Sequence, residues 1–129
     1  MAGTLVADQL QDGAGNSTSM DNAIYGSAKA WVNFAGSTGT KISSYNVSSV
    51  TRNSSGNYTI NYTNALQDTN YAVMGTINIQ TSIFGAAAVF MISTTATPST
   101  TNTTVSTAYS SGGTCAANDY ASVCVAIFR

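Results

Sequence analysis

Side chains that could carry out acid–base chemistry are few in this chain. The sequence contains no histidine and no glutamate, which excludes histidine-based triads and the common zinc sites. Asp68 and Asp119 could act as a glycosidase pair if their carboxylates lay within about 10 Å of each other, but two unrelated turn aspartates are the simpler interpretation. We therefore predict a protein that is not an enzyme and that binds no cofactor or metal.

Two cysteines are the other reactive groups. Cys115 lies in a glycine-rich stretch and Cys124 in the final apolar segment, and their spacing is not that of a CxxC motif. A disulfide between a loop and a strand is one option. Two reduced thiols are the other, because proteins made inside cells usually keep their cysteines reduced.

Aromatic residues could form a sugar-binding platform, because their rings stack on sugar rings while Ser, Thr and Asn side chains bind the hydroxyl groups. The alternative is that they are core and interface residues, which bury large areas and hydrogen-bond at one end. The sequence favours this second role. The aromatic candidates for interface or glycan contact are Trp31, Tyr45, Tyr58, Tyr62 and Tyr71.

The charge pattern narrows the set of partners. Only four cations are present, scattered along the chain, and only 7% of the residues are charged, so no basic stripe for nucleic acid can form. No apolar run approaches the ~20 residues of a membrane span, so no membrane partner is expected. With little charge repulsion to keep it soluble, such a chain is better suited to an assembly than to the free state.

The elements that must position these residues are short strands. Residues 28–34 alternate between apolar and other side chains, with Trp31 opposite Ala30, Val32 and Phe34. A hairpin is predicted around the turn at 53–56, followed by strands at 71–79, 83–93, 99–110 and 120–128, with a loop at 111–119. Gly75 indicates a bulge or a close approach. The fold class is all-β: an antiparallel, jelly-roll-like β-sandwich of seven or eight strands.

The first 27 residues differ from the rest. They are rich in Gly and Asn and poor in apolar residues, and we predict an extended or short helical arm and linker, followed by a sandwich domain over 28–129. Such an arm has little of its own domain to pack against, so docking on a neighbour is expected. The docking side chains would be Leu5, Val6 and Leu10.

Several short motifs resemble a module of tail-fibre and other virion proteins of tailed bacteriophages. They are an "AWVNF" opening followed by Gly36 and Gly39, a "YNVSSV" strand, a hairpin arm over 56–63, an "NYAV" strand followed by Gly75, and the closing "SVCVAIF". Together they span roughly 28–128. The resemblance implies a β-sandwich, usually trimeric, located in the virion after assembly in the bacterial cytoplasm and often in contact with host glycans.

This chain begins at Met1 with an arm rather than a long shaft. We therefore expect a small trimeric knob or capsid decoration (cement) protein that binds other virion proteins, more than the tip of a long fibre. The alternative is a host-surface adhesion module that binds polysaccharide. Because Trp31 points away from its own core in the predicted strand, it is expected to pack on a sister chain or on the arm.

Overall fold

The computed structural model describes residue 3 and residues 6–78, 86–92 and 97–129. It confirms the all-β antiparallel sandwich. One short helix, α1 (Met20–Gly26), precedes the sandwich. The strands are β1 (Gln9–Gln11), β2 (Ser17–Ser19), β3 (Ala28–Phe34), β4 (Lys41–Tyr45), β5 (Val47–Ser54), β6 (Asn57–Tyr62), β7 (Ala72–Asn78), β8 (Ala86–Ile92), β9 (Asn102–Ser111), β10 (Thr114–Ala117) and β11 (Ser122–Phe128).

Two sheets enclose the core. The first has the order β4-β3-β11-β7, and the second has β5-β6-β9 with β8 on the far edge of β9 and β10 also paired to β9. Alternate residues of the central strands point inward, as period-two patterning requires. The buried apolar core consists of Ala30, Val32, Phe34, Val47, Tyr58, Ile60, Tyr62, Leu66, Val105, Tyr120, Val123, Val125 and Ile127.

The strand count differs from the prediction. The described part of 28–129 contains nine strands rather than seven or eight. One addition is β10, which lies inside the predicted loop 111–119. There Gly112 and Gly113 both adopt positive φ angles of 56° and 80°, which glycine permits without steric cost, so the chain turns tightly and pairs again with β9. The predicted strand 83–93 is described only over β8.

The other additional strand is β4, which is separated from β5 by Asn46. At this one residue the chain passes from one sheet to the other. Asn46 has a φ of 53°, a left-handed conformation that Asn adopts more readily than most residues. Its side-chain amide donates to the carbonyls of Lys29 and Asn64, at 3.1 and 3.2 Å, and its side-chain oxygen accepts from the Asn64 N–H at 2.8 Å. This corner separates β4 from β5.

The predicted close approach at Gly75 is confirmed. A Cβ atom placed on Gly75 would lie 2.3 Å from the ring of Phe90 on β8, well inside van der Waals contact. Gly75 belongs to β7 of the first sheet, so the glycine lets the two sheets meet along this side.

The arm is folded but not buried. β1 and β2 form a hairpin whose turn is held by the Asp12 carboxylate, which accepts from the N–H groups of Ala14 and Asn16 at 2.9 Å each. Ser19 caps α1 through the N–H of Asn22. None of residues 6–27 is buried. Among the described residues, no helix is long and apolar enough to span a membrane.

Candidate functional site

The outer side of the first sheet carries a cluster of uncharged side chains that we call the aromatic face. Cross-strand pairing aligns these side chains in two rows, since Trp31 pairs with Tyr45 and with Ala126, which in turn pairs with Met74. The next row is more polar. The aromatic face consists of Tyr45, Trp31, Ala126 and Met74 in the first row and Ser43, Asn33, Cys124 and Thr76 in the second.

A groove runs along the middle of the aromatic face. The central strand β11 contributes the small side chains Cys124 and Ala126, whereas the flanking strands contribute Trp31 and Met74. Trp31 is 40% exposed and Met74 64% exposed, which is a large apolar surface to leave in water. The groove has a volume of about 380 Å³, and its lining is almost entirely apolar although Asn33 and Thr76 contribute to it.

No charged side chain occupies either row of the aromatic face. The two lysines nearest to it are turned elsewhere. Lys29 donates from Nζ to the carbonyl of Ile24 in the arm, and Lys41 donates to the carbonyls of Val47 and Ser48, at 2.7 and 2.8 Å. A partner would therefore meet no fixed charge at the centre of this surface.

The outer side of the second sheet is different, and we call it the hydroxyl–amide face. Its side chains bond mainly to one another: Asn53 donates to Asn57 and Thr59 at 2.8 and 2.9 Å, and Asn61 donates to Ser49 at 3.0 Å. Its polar groups are thus largely satisfied within the monomer. The face consists of Ser49, Thr51 and Asn53 on β5, Asn57, Thr59 and Asn61 on β6, and Asn102, Thr104 and Ser106 on β9.

The five aromatic candidates separate into three groups: exposed, buried and half-buried. Trp31 and Tyr45 are exposed neighbours on the aromatic face, but Tyr58 and Tyr62 are core residues, so neither ring is available to a glycan or a partner. The alternation of β6 explains this, because Tyr58, Ile60 and Tyr62 all point inward. Tyr71 is half-buried, and its hydroxyl donates to the carbonyl of Ser99 at 3.2 Å.

Tyr62 and Tyr71 pack against each other and stabilise the core. Their rings meet edge to face with centroids 6.4 Å apart, a favourable geometry for aromatic pairs. Burial raises the pKa of the Tyr62 phenol far above its ordinary value. Its hydroxyl has no hydrogen-bond partner within the part of the chain that the structure describes. These features fit a packing role.

Asp119 is the centre of a hydrogen-bond network that the sequence did not reveal. One carboxylate oxygen accepts from the N–H of Gly56 at 2.8 Å and from the Tyr58 hydroxyl at 2.6 Å, and the other accepts from Arg52 at 2.6 Å. Burial alone would raise the pKa of Asp119, but these three donors outweigh it and lower the pKa below 3.8. Burial, followed by the bond to Asp119, raises the pKa of Tyr58 to about 12.

Asp68 lies at the other end of the molecule. Its carboxylate accepts from Arg129, with Nε to Oδ1 at 2.7 Å, and this bond is the main reason why the pKa of Asp68 is lowered. Asp119 precedes β11 and Arg129 follows it, and a strand of that length spans roughly 20 Å. The two aspartates therefore do not form the glycosidase pair considered above.

The cysteines are also apart. Cys115 lies on β10 of the second sheet and Cys124 on β11 of the first, and both are exposed free thiols. The disulfide option is therefore wrong for this structure. Leu10 of the proposed docking residues is exposed on β1 and Val6 is exposed before it, while Leu5 lies outside the described residues.

Comparison with protein-family models, curated proteins and solved structures gives no match for this chain. The described residues contain no group of three or more His, Cys, Asp or Glu side chains that could hold a metal ion. What the geometry brings together is a surface for contact: two exposed aromatics, a groove and a row of uncharged polar groups. Met74, Cys124 and Ala126 were missed from the sequence: the alternation of β7 and β11 would have placed them on the outer side of their strands, but their position beside Trp31 depends on the strand order.

Proposed function

We propose that this protein is a non-catalytic structural subunit of a bacteriophage virion. In this proposal it is a small homotrimeric, fibre-like or capsid decoration protein, and its N-terminal arm anchors it to another virion protein. The resemblance of residues 28–128 to virion modules supports the assignment to a phage. The all-β sandwich and its low charge agree with a role in assembly.

The observation that carries the anchoring role is the exposure of the arm. Val6 is 90% exposed and Leu10 is 44% exposed, and Ile24 and Tyr25 of α1 are exposed as well. A two-stranded hairpin is marginally stable by itself in water, and a seven-residue helix gains little from propensity alone. Burial of these side chains on a partner would stabilise both elements, at about 25 cal/mol per Å² of apolar surface.

Particle decoration tests this function. We expect the double variant Val6→Ser, Leu10→Ser to bind intact particles at least tenfold more weakly, because it removes the apolar anchor while leaving the sandwich unchanged. Gln9→Ser together with Gln11→Ser is the matched control, since these polar residues of β1 lie beside Leu10. Full occupancy by the Val6/Leu10 variant, measured from copy number per particle, would contradict anchoring by the arm.

A second candidate function is adhesion to host-surface polysaccharide through the aromatic face. The observation that favours it is the position of the exposed rings of Trp31 and Tyr45 beside Ser43, Asn33 and Thr76, which together offer stacking and hydrogen bonds to a sugar. Adhesion predicts that a folded Trp31→Ala protein still decorates particles but no longer binds host cells. Unchanged cell binding would argue against it.

A further inference from the structure

We propose that the aromatic face is the surface through which copies of this chain associate, with Trp31 of one copy seated in the groove of the next. This inference rests on the homo-oligomer of the proposed function and specifies its interface. In this arrangement the β11 side chains Cys124 and Ala126 of neighbouring copies lie at the interface, whereas the hydroxyl–amide face remains in water.

The shape of the face is the first argument. The same surface carries a ridge, formed by the exposed and paired side chains of Trp31 and Tyr45, and a groove of about 380 Å³ over Cys124 and Ala126. A ridge and a groove on one surface allow identical copies to interlock without a second protein. Trp31 is also the type of residue that contributes most to interface energies when it fills a pocket.

Charge is the second argument. Contacts between identical copies bring equivalent surfaces together, and like charges there would cost free energy. The two rows of the aromatic face contain only uncharged side chains, and the ammonium groups of Lys29 and Lys41 are engaged by backbone carbonyls. Packing this surface on a copy of itself therefore requires no ion to be desolvated.

The hydroxyl–amide face is a poorer surface for the same purpose. Its Asn, Ser and Thr groups already bond to one another, and its main apolar contribution among the described side chains is Met91 on β8, which pairs with Ser106 and is 40% exposed. Burial there would remove water from polar groups without giving new hydrogen bonds or much apolar contact in return. Association through the aromatic face would therefore bury more apolar surface and desolvate fewer polar groups than association through the hydroxyl–amide face.

The area of the aromatic face indicates how tightly two copies can associate through it. Four strands about 4.8 Å apart and seven residues long give a footprint of roughly 400 Å² per copy. Two such footprints total about 800 Å², below the 1,200–2,000 Å² of a standard specific interface. The aromatic face alone therefore predicts weak, concentration-dependent association of the isolated chain, and the arm, which leads into β3 at Ala28, stays free to bind another virion protein.

Cross-linking of the purified full-length chain tests this inference, because the two cysteines lie on opposite sheets. The Cys115→Ser variant keeps only the thiol on the aromatic face, and Cys124→Ser keeps only the thiol on β10. With a short bis-maleimide, we expect the first variant to form covalent dimers and the second to remain largely monomeric. Adding Trp31→Ala or Met74→Ser to the first variant should reduce dimer formation at least tenfold.

Sedimentation of the same samples separates the outcomes. Monomers at all accessible concentrations, or cross-linking through Cys115 as efficient as through Cys124, would overturn the inference. In the second case the protein would still self-associate, so the homo-oligomer of the proposed function would stand while the assigned face would be wrong. Loss of particle binding by the arm variant without loss of cross-linking would leave the aromatic face as the interface between copies.

Discussion

The outer surfaces of the two sheets arise from the same alternation of side chains. They differ in how far their side chains are bonded or covered within the monomer. On the hydroxyl–amide face, side-chain amides and hydroxyls satisfy one another within the monomer. On the aromatic face, Trp31 and Met74 remain exposed around a groove. A charge-poor protein can thus have one sheet surface whose polar groups bond to one another and a second that exposes apolar side chains, with no charged residue in the rows that form either face.

The largest expected effect tests the sandwich on which both surfaces depend. Asp119 lies in the loop before β11 and binds Gly56 and Tyr58 at the β5–β6 hairpin, so it joins the two sheets. Asp119→Ala should reduce the free energy of unfolding by about 2–3 kcal/mol, because a buried hydroxyl and a backbone N–H lose their acceptor. Urea denaturation measures this loss. A reduction no larger than that of Asp68→Ala, at the partly exposed Asp68–Arg129 pair, would contradict it.

The pH dependence of unfolding gives a second, smaller effect at the contact that Asp119 makes between the two sheets. The pKa of Asp119 is lower in the folded protein than in the unfolded chain, so the unfolded state binds more protons and stability rises with pH in this range. The contribution should be complete above about pH 4 and lost as the pH falls through the lowered folded-state pKa. Asp119→Asn should flatten this part of the profile, and an unchanged profile would contradict the assignment.

In the alkaline range the stability is expected to change with pH in the opposite direction. The pKa of Tyr58 is raised to about 12 in the folded state, so the unfolded chain loses its proton first, near pH 10. Stability should therefore fall as the pH rises from about 10 to 12. Circular dichroism during alkaline titration follows unfolding. Tyr58→Phe should reduce the slope in this window, and the buried Tyr62, whose pKa is also raised, should account for the slope that remains.

The smallest effect distinguishes the two faces directly. Asn61→Ala breaks bonds to Ser49 and Thr51 on the hydroxyl–amide face and should cost the monomer about 0.5–1 kcal/mol. Met74→Ser, at a side chain that is largely exposed, should change monomer stability by less than about 0.5 kcal/mol while weakening association. Thermal unfolding and sedimentation of both variants give the two readouts. Equal effects on association would erase the difference between the faces.

Much of the fold could be predicted from local patterning. The alternation in 28–34 placed Trp31 opposite the buried Ala30, Val32 and Phe34, and the turn formers before Asn57 marked the hairpin of β5 and β6. The short strands were harder. β10 follows a two-glycine turn that the sequence also allows as a loop, and the corner at Asn46 depends on side-chain bonds to Lys29 and Asn64 that lie 17 and 18 residues away.

The candidate site was predicted less completely, for a physical reason. Which aromatic rings reach the surface depends on which side of each strand faces the core, and Tyr58 and Tyr62 fall on the inner side of β6. The assembly of the aromatic face depends on strand order, because β3, β11 and β7 are distant in sequence but adjacent in the sheet. The same long-range pairing carries Asp68 and Asp119 to opposite ends of β11.

The Asn46 corner has a mechanical consequence. Its amide is bonded to Lys29, at the point where the arm joins the sandwich, and to Asn64 beyond β6. A force applied to the arm would reach β3 next to this corner. Because the Asn46 side chain links β3 to the segment after β6, the force would be distributed over both sheets and would not separate β3 from β11 one residue at a time. A tether attached there would load the sandwich as one body, which agrees with the proposed anchoring of this chain by its N-terminal arm.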